Sequence, residues 1–191
     1  AYAPTQEQIG PRMLRNVCLH YLGAIDDAPA RALAVAQYDA ADNMTDAVAA
    51  LAAVNHSGTT EREALFARFE AKWRDEPLVL DKWFALQASS RRPDTLARVR
   101  SLLAHPRFDA RNPNRVRALV ATFARRNWSA FHRTDSSGYA FVGEQVLAFD
   151  RSNPQLAAAL AGAFNLWRRF AEPRRSLQRA ALEAIGRAPE L

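Results

Sequence analysis

Apolar residues recur along this chain at spacings of three and four, the period of a helix with one buried face. Ile9, Met13, Leu14, Val17, Cys18, Tyr21 and Leu22 form the first such run. Thr5 with Gln8 three residues on has capping-box spacing, and Pro11 falls early, where a missing N–H costs little. Asp27 and Pro29 open a second helix through Leu33, Val35 and Tyr38, and Asp42-Asn43-Met44-Thr45-Asp46 breaks it and caps a third carrying Val48, Leu51 and Val54. Gly58 and Thr60-x-x-Glu63 mark the next start, with Leu65, Phe66, Phe69 and Trp73 as its apolar face. Pro77 restarts the chain into Leu78, Leu80, Trp83, Phe84 and Leu86, and Pro93-Asp94 opens Leu96, Val99, Leu102 and Leu103. Ser136-Ser137-Gly138-Tyr139 reads as a serine cap with a turn glycine ahead of Phe141, Val142, Val146 and Phe149. Asn112-Pro113, Asn153-Pro154 and Glu172-Pro173 are cap-then-proline starts. No segment alternates convincingly as a strand would. The pattern predicts an all-α chain of roughly ten helices, each of about 10–18 residues, joined by short turns.

Part of the pattern repeats. Phe108-Asp109-x-x-Asn112-Pro113-Asn114 returns as Phe149-Asp150-x-x-Asn153-Pro154-Gln155, an offset of 41 residues, and Leu119 against Leu160 and Phe123 against Phe164 keep the same offset. One unit used twice explains this: a helix ends, Phe anchors the turn, Asn caps, Pro leads, and Leu and Phe dock the next helix. A period near 41 belongs to helical solenoids of the HEAT and armadillo kind. A compact irregular helical bundle is the other reading.

Composition narrows the class further. Of 191 residues, 39 are alanine, and 24 of the 26 basic residues are arginine, only Lys72 and Lys82 being lysine. The formal net charge is +6. The single cysteine, Cys18, cannot form an internal disulfide, and it reads as a small core residue. No apolar run reaches membrane-spanning length and no charged-then-apolar leader opens the chain, so the expectation is a cytoplasmic protein with no membrane partner. The chain starts without Met and stops at Ala188-Pro189-Glu190-Leu191 just after a helical pattern, which predicts a piece of something longer.

Catalytic chemistry is hard to assemble from these residues. His20, His56, His105 and His132 include no pair four apart, so the helical His-Glu-x-x-His zinc site is absent. Neither a Gly-x-Ser-x-Gly elbow nor a glycine-rich phosphate loop occurs, and the carboxylates are scattered. Each histidine reads as satisfied or solvated. Arginines cluster at 91–92, 111/115/117, 125–126, 168–169 and 174–175. A basic helical repeat could grip nucleic acid. The interleaved acids and the lack of an aromatic-plus-Arg array favour solvated faces and ion pairs instead.

Several segments, in order, resemble the C-terminal helical domain of bacterial aminopeptidase N, a zinc exopeptidase of the gluzincin class. They are Leu14-Arg15-Asn16-x-Cys18-Leu19, Asn43-Met44-Thr45-Asp46-Ala47, Leu80-Asp81-Lys82-Trp83-Phe84-Ala85-Leu86-Gln87-Ala88, Asn112-Pro113-Asn114-Arg115-Val116-Arg117, Ala130-Phe131-His132, Asp135-x-Ser137-Gly138-Tyr139 and Asn153-Pro154-Gln155. The resemblance implies paired helices in an armadillo/HEAT-like superhelical bowl, with residues 1–191 as one C-terminal domain. It implies that the N-terminal and catalytic domains of the same polypeptide are its partners, that zinc and the catalytic acids lie there, and that a last helix follows Leu191. It further implies a domain that covers the catalytic one, walls a chamber for short peptides, and has no cofactor or catalytic residue of its own. The parent is expected to be a monomer that does not bind nucleic acid. By analogy Arg117, Gln155 and Arg115, early in the helices that start at Asn-Pro, are the candidates to face that chamber. Where some relatives carry Arg after Asn-Pro-Gln, this chain has Ala157-Ala158-Ala159. The alternative reading is an arginine-rich helical-repeat module that binds nucleic acid or a protein partner.

Overall fold

The structure, a computed structural model, describes residue 3 and residues 5–188. Pro189, Glu190 and Leu191, where a cut end was expected, lie outside that range. The helices are α1 (Gln6–Gly23), α2 (Ala28–Ala40), α3 (Met44–Val54), α4 (Thr60–Trp73), α5 (Pro77–Ala88), α6 (Thr95–Leu102), α7 (Pro113–Val116), α8 (Thr122–Arg126), α9 (Trp128–Phe131), α10 (Ser137–Asp150), α11 (Pro154–Ala161) and α12 (Arg174–Gly186). A π-helical turn, Arg117–Ala121, joins α7 to α8, and 3₁₀ turns follow α11 at Gly162–Phe164 and Trp167–Arg169. Among the described residues there is no strand, as the pattern predicted.

Asparagine and aspartate start five of these helices as N-caps. Asp27 accepts from the Ala30 N–H at 2.8 Å, Asn43 from Asp46 at 3.0 Å, Asn112 from Asn114 at 3.0 Å, Asn127 from Ala130 at 3.1 Å and Asn153 from Leu156 at 3.0 Å. Other starts differ from the sequence reading. Thr5 sits at the N-cap of α1 without a side-chain bond, and Gln8 accepts from the Ala3 N–H, so no reciprocal capping box forms. The cap of α4 is Thr59, one residue before the position expected. Before α10 the acceptor is Asp135, whose Oδ1 takes the Ser137 N–H at 3.0 Å and hydroxyl at 2.6 Å; Ser136 has left-handed φ of 62° and caps nothing with its side chain. Pro173 is the N-cap of α12 rather than its first residue, and Glu172 reaches forward to the Ser176 N–H at 3.1 Å.

The described residues form two compact units, one running up to Leu86 and the other starting at Gln87. In the first, Leu51, Leu65, Phe66, Phe69, Leu80 and Phe84 are buried with almost no exposure. Alanine supplies the close approaches: Ala30, Ala34 and Ala50 are buried while Leu33 is exposed, so α2 packs by its small face, not the apolar one expected. Gly23 belongs to the same device, because a Cβ there would collide with the Ala53 backbone. In the second unit Phe123, Phe131, Tyr139, Phe141 and Phe164 form the aromatic centre, with Phe123 meeting Phe141 edge-on at 5.4 Å and Phe131 meeting Tyr139 at 5.1 Å.

The repeat has a structural basis. Both asparagines cap, both prolines sit at the first helical turn, and Leu119, Leu160, Phe123 and Phe164 are all buried. Both copies also leave regular α-geometry, by a π turn about one turn after the start in the first and a 3₁₀ turn about two turns after it in the second.

Gly138 is fixed by space rather than by turn geometry, since a Cβ there would strike the Phe131 and Ala130 carbonyls. Gly138→Ala is therefore expected to destabilise the fold by about 3 kcal/mol or more. Gly10→Ala, with open space around it, should be neutral or gain up to about 1 kcal/mol. Urea unfolding of the two variants checks the contrast.

Candidate functional site

Two of the sequence segments meet in space around Asp46. Its carboxylate is buried on the first turn of α3 and accepts from Arg15, from Asn16 at 2.9 Å and from Asn43 at 2.8 Å. Gln37 on α2 ties the cluster together, donating to Asn16 Oδ1 at 2.8 Å and to the Asp46 carbonyl at 3.1 Å. Burial pushes the Asp46 carboxyl up, but the bonds from Asn43, Asn16 and Arg15 outweigh it and hold the group below its ordinary value. The cluster forms one wall of an open cavity of about 630 Å³ between α1, α2 and the start of α3, lined also by Glu7, Arg12 and Ala41. Both oxygens of this carboxylate accept hydrogen bonds, so the arrangement fixes α1 to α3.

A second polar group links α9, α10 and α12. His132 Nδ1 lies 2.8 Å from the Tyr139 hydroxyl, and the Arg174 side chain donates to the His132 carbonyl at 2.8 Å. Burial, then the Arg174 charge, lowers the His132 pKa, and burial raises that of Tyr139. His132 is thus the satisfied histidine expected from the sequence, a neutral ring that orients Tyr139.

Of the three candidate chamber residues, two are exposed and one is buried. Arg117, at the start of the π turn, is exposed and donates to Asn114 Oδ1 at 3.3 Å. Gln155, in the first turn of α11, is exposed as well. Arg115 is buried, at 4% exposure, because residues two apart on a helix point to opposite sides.

The largest departure from the sequence reading is on α1. Its apolar run was expected to be core, yet only Leu19 is buried. Met13, Leu14, Val17 and Tyr21 are 63%, 68%, 50% and 72% exposed, with Ile25 beyond the helix end at 64%. Cys18 is exposed too, not a core residue. The run is amphipathic as predicted, but the face that packs on α3 is the other one, carrying Leu19, Asn16 and Gly23. An apolar stripe of this length on one helix marks an interaction surface.

Among the described residues no three His, Cys, Asp or Glu side chains are grouped to hold a metal ion, and no helix is long and apolar enough to cross a membrane.

Comparison with known proteins gives one consistent picture. The family model described as "Domain of unknown function (DUF3458_C) ARM repeats" matches residues 1–191. The chain is 43% identical over 182 residues to an aminopeptidase N of Caulobacter vibrioides, covering 95% of this chain and 21% of that protein. It is 41% identical over 184 residues to an aminopeptidase N of Escherichia coli, covering 96% and 21%. Among solved structures it resembles aminopeptidase A of Legionella pneumophila in complex with aspartic acid, with a TM-score of 0.88 and 31% identity over 94% of this chain and 21% of that one. The chain thus spans about a fifth of the length of the relatives it matches.

The lowered Asp46 pKa makes its carboxylate a stabilising group at neutral pH. That contribution is complete above the unfolded value near ~3.9 and fades as pH falls through the lower folded value. Asp46→Ala should cost about 3 kcal/mol at pH 7 and lessen the acid sensitivity below about pH 4, read as urea midpoints against pH. His132, lowered in the fold, acts in a higher window: full stability above the unfolded value near ~6.5, lost as pH falls toward the folded one. His132→Gln should flatten the fall in thermal midpoint between about pH 7 and 5.

Proposed function

The chain belongs to the DUF3458_C armadillo-repeat family, and from that membership we propose that it is the C-terminal domain of a zinc aminopeptidase of the aminopeptidase N type. The observation that carries the reading is the match of nearly the whole chain to a fifth of each relative. On this reading residues 1–191 are one domain, made of the two units, and the N-terminal and catalytic domains belong to the same polypeptide. Zinc and the chemistry of peptide hydrolysis lie in the catalytic part. The domain covers that part, closes a chamber that admits short peptides, and excludes folded proteins and bulk water. The parent acts as a cytoplasmic monomer that trims residues from peptide N-termini.

The exposed stripe of α1 supports a covering role, because Met13, Leu14, Val17 and Tyr21 present apolar surface that a neighbouring domain would bury. Arg117 and Gln155 supply polar groups early in Asn-capped helical segments, where free N–H groups and the helix dipole favour an anionic partner such as a peptide carboxylate. Arg115, being buried, serves only from behind them.

The isolated chain should not hydrolyse an alanyl chromogenic substrate. In the full-length parent, Arg117→Ala and Gln155→Ala should raise KM for tri- to pentapeptides about 5- to 10-fold while leaving kcat/KM for the single-residue chromogenic substrate unchanged. Loss of both activities together, or of neither, rejects the chamber assignment.

A further inference from the structure

Charge is divided unevenly between the two units. Counted along the sequence, residues up to Leu86 hold 8 basic and 12 acidic side chains, a net of −4, whereas those from Gln87 hold 18 and 8, a net of +10. Both lysines precede Leu86, so all 18 cations of the second unit are arginine. Acids are interleaved in both halves, but in the second they are outnumbered. In the second, local pairs such as Arg100–Glu144 and Arg133–Asp135 neutralise a minority of the arginines. Arginine presents a planar fork of N–H donors that matches a carboxylate in pairs, which lysine does not.

Three of these arginines meet at one cavity. Trp167, Arg168, Glu172, Arg175, Ser176 and Arg179 line an opening of about 510 Å³ between the Trp167–Arg169 turn and the start of α12. The Arg168 guanidinium lies over the Trp167 ring at 4.7 Å, and no carboxylate pairs with it among the described residues. Arg175 donates through Nε to Glu172 at 2.7 Å, and Arg179 through Nε to Glu183 at 2.7 Å, so each keeps further N–H donors. Glu172 is in turn committed to Ser176 and Arg175. The cavity lining thus holds three guanidinium groups and one carboxylate, Glu172, while Glu183, not among the lining residues, takes Arg179, leaving a local surplus of positive charge.

We propose that this cavity is a carboxylate-binding subsite for acidic peptides, in which Arg168 takes an Asp or Glu side chain of the ligand with Arg175 and Arg179 on either side. Trp167 supplies an apolar wall for the methylenes of that side chain. A nucleic-acid backbone is the weaker fit, since it needs a continuous track of unaccompanied cations. Here two of the three arginines are already anchored to glutamates, and the cavity has room for one or two side chains. The assignment concerns a property of the chain itself and stands apart from the aminopeptidase reading.

Binding of a fluorescent hexapeptide of alternating Asp and Ser to the whole chain tests it, with the matching Asn-Ser peptide as the uncharged control. The acidic peptide should bind saturably and the control should not, with affinity falling between 20 and 200 mM salt (about 20 and 200, as screening requires). Arg168→Gln and Arg179→Gln should each weaken binding about tenfold, whereas Arg126→Gln, an exposed arginine on α8, should change it less than about twofold. Circular dichroism verifies that each variant keeps its fold. Equal losses from Arg126→Gln and Arg168→Gln, no difference between the two peptides, or tighter binding of inorganic phosphate or of a DNA duplex than of the acidic peptide would each overturn the assignment.

Discussion

A stack of short helices buries many helix ends, and the last carbonyls of each helix have no intrahelical N–H to accept from. Leaving such an oxygen buried without a partner costs about 1–3 kcal/mol. In this chain the need is met by side chains sent from elsewhere in the same unit. Asn55, buried after α3, donates to the Leu86 carbonyl at 2.7 Å, and its own carbonyl accepts from the buried Arg62 at 3.0 Å. Within α4, the Phe66 carbonyl also accepts the Trp83 indole N–H at 2.9 Å, which ties α5 to α4. Asn127 performs the same task in the second unit, donating to the Ala88 and Ser90 carbonyls at 2.9 and 2.5 Å while its Oδ1 caps α9. Hydrophobic burial drives these helices together, but the buried asparagines decide which helix end meets which neighbour.

The polar clusters follow the same logic, and they explain why the characteristic segments of the sequence come in pairs. Leu14-Arg15-Asn16 and Asn43-Met44-Thr45-Asp46 are two halves of the Asp46 cluster. Ala130-Phe131-His132 and Ser137-Gly138-Tyr139 are two halves of another, joined by the His132–Tyr139 bond and by a glycine that lets α10 touch the Phe131 carbonyl. With the buried polar groups given over to architecture, what remains available for function is on the surface. It consists of an apolar stripe on α1 in the acidic unit and an excess of guanidinium groups in the basic one.

Much of this was legible beforehand. Asn43, Asn112 and Asn153 announce their helices because a side-chain acceptor at the N-cap is a local requirement, set within three residues. Phe66, Phe69, Phe84 and Phe123 are identifiable as core because large aromatics on a periodic face are buried in most packings. The failures have a common cause. For α1 and α2 the period was right and the buried face wrong: Leu14, Val17 and Leu33 face outward, while Asn16 and Ala34 face the neighbouring helices. Period depends on one helix, whereas the choice of face depends on its neighbours. Cys18 was misplaced for the same reason, while Arg115 and Arg117, two residues apart, differ in burial, the first buried and the second exposed. The sequence shows the arginine pairs at 168–169 and 174–175 but not the cavity, which exists only once α12 brings Arg175 and Arg179 beside Trp167 and Arg168.

The sequence by itself determined the helical class, most helix starts, the repeat and the family. These rest on caps, prolines, helical spacing and ordered segments, all of which act or are read over short stretches of chain. Tertiary structure alone decided which faces are buried, which arginines come together at one cavity, and which polar groups are consumed in holding helix ends. Those outcomes depend on the free energy of elements far apart in sequence, where an alanine permits a close approach or an asparagine satisfies a distant carbonyl. The stripe on α1 stands at the boundary: the sequence marks it as apolar, and the fold leaves it uncovered.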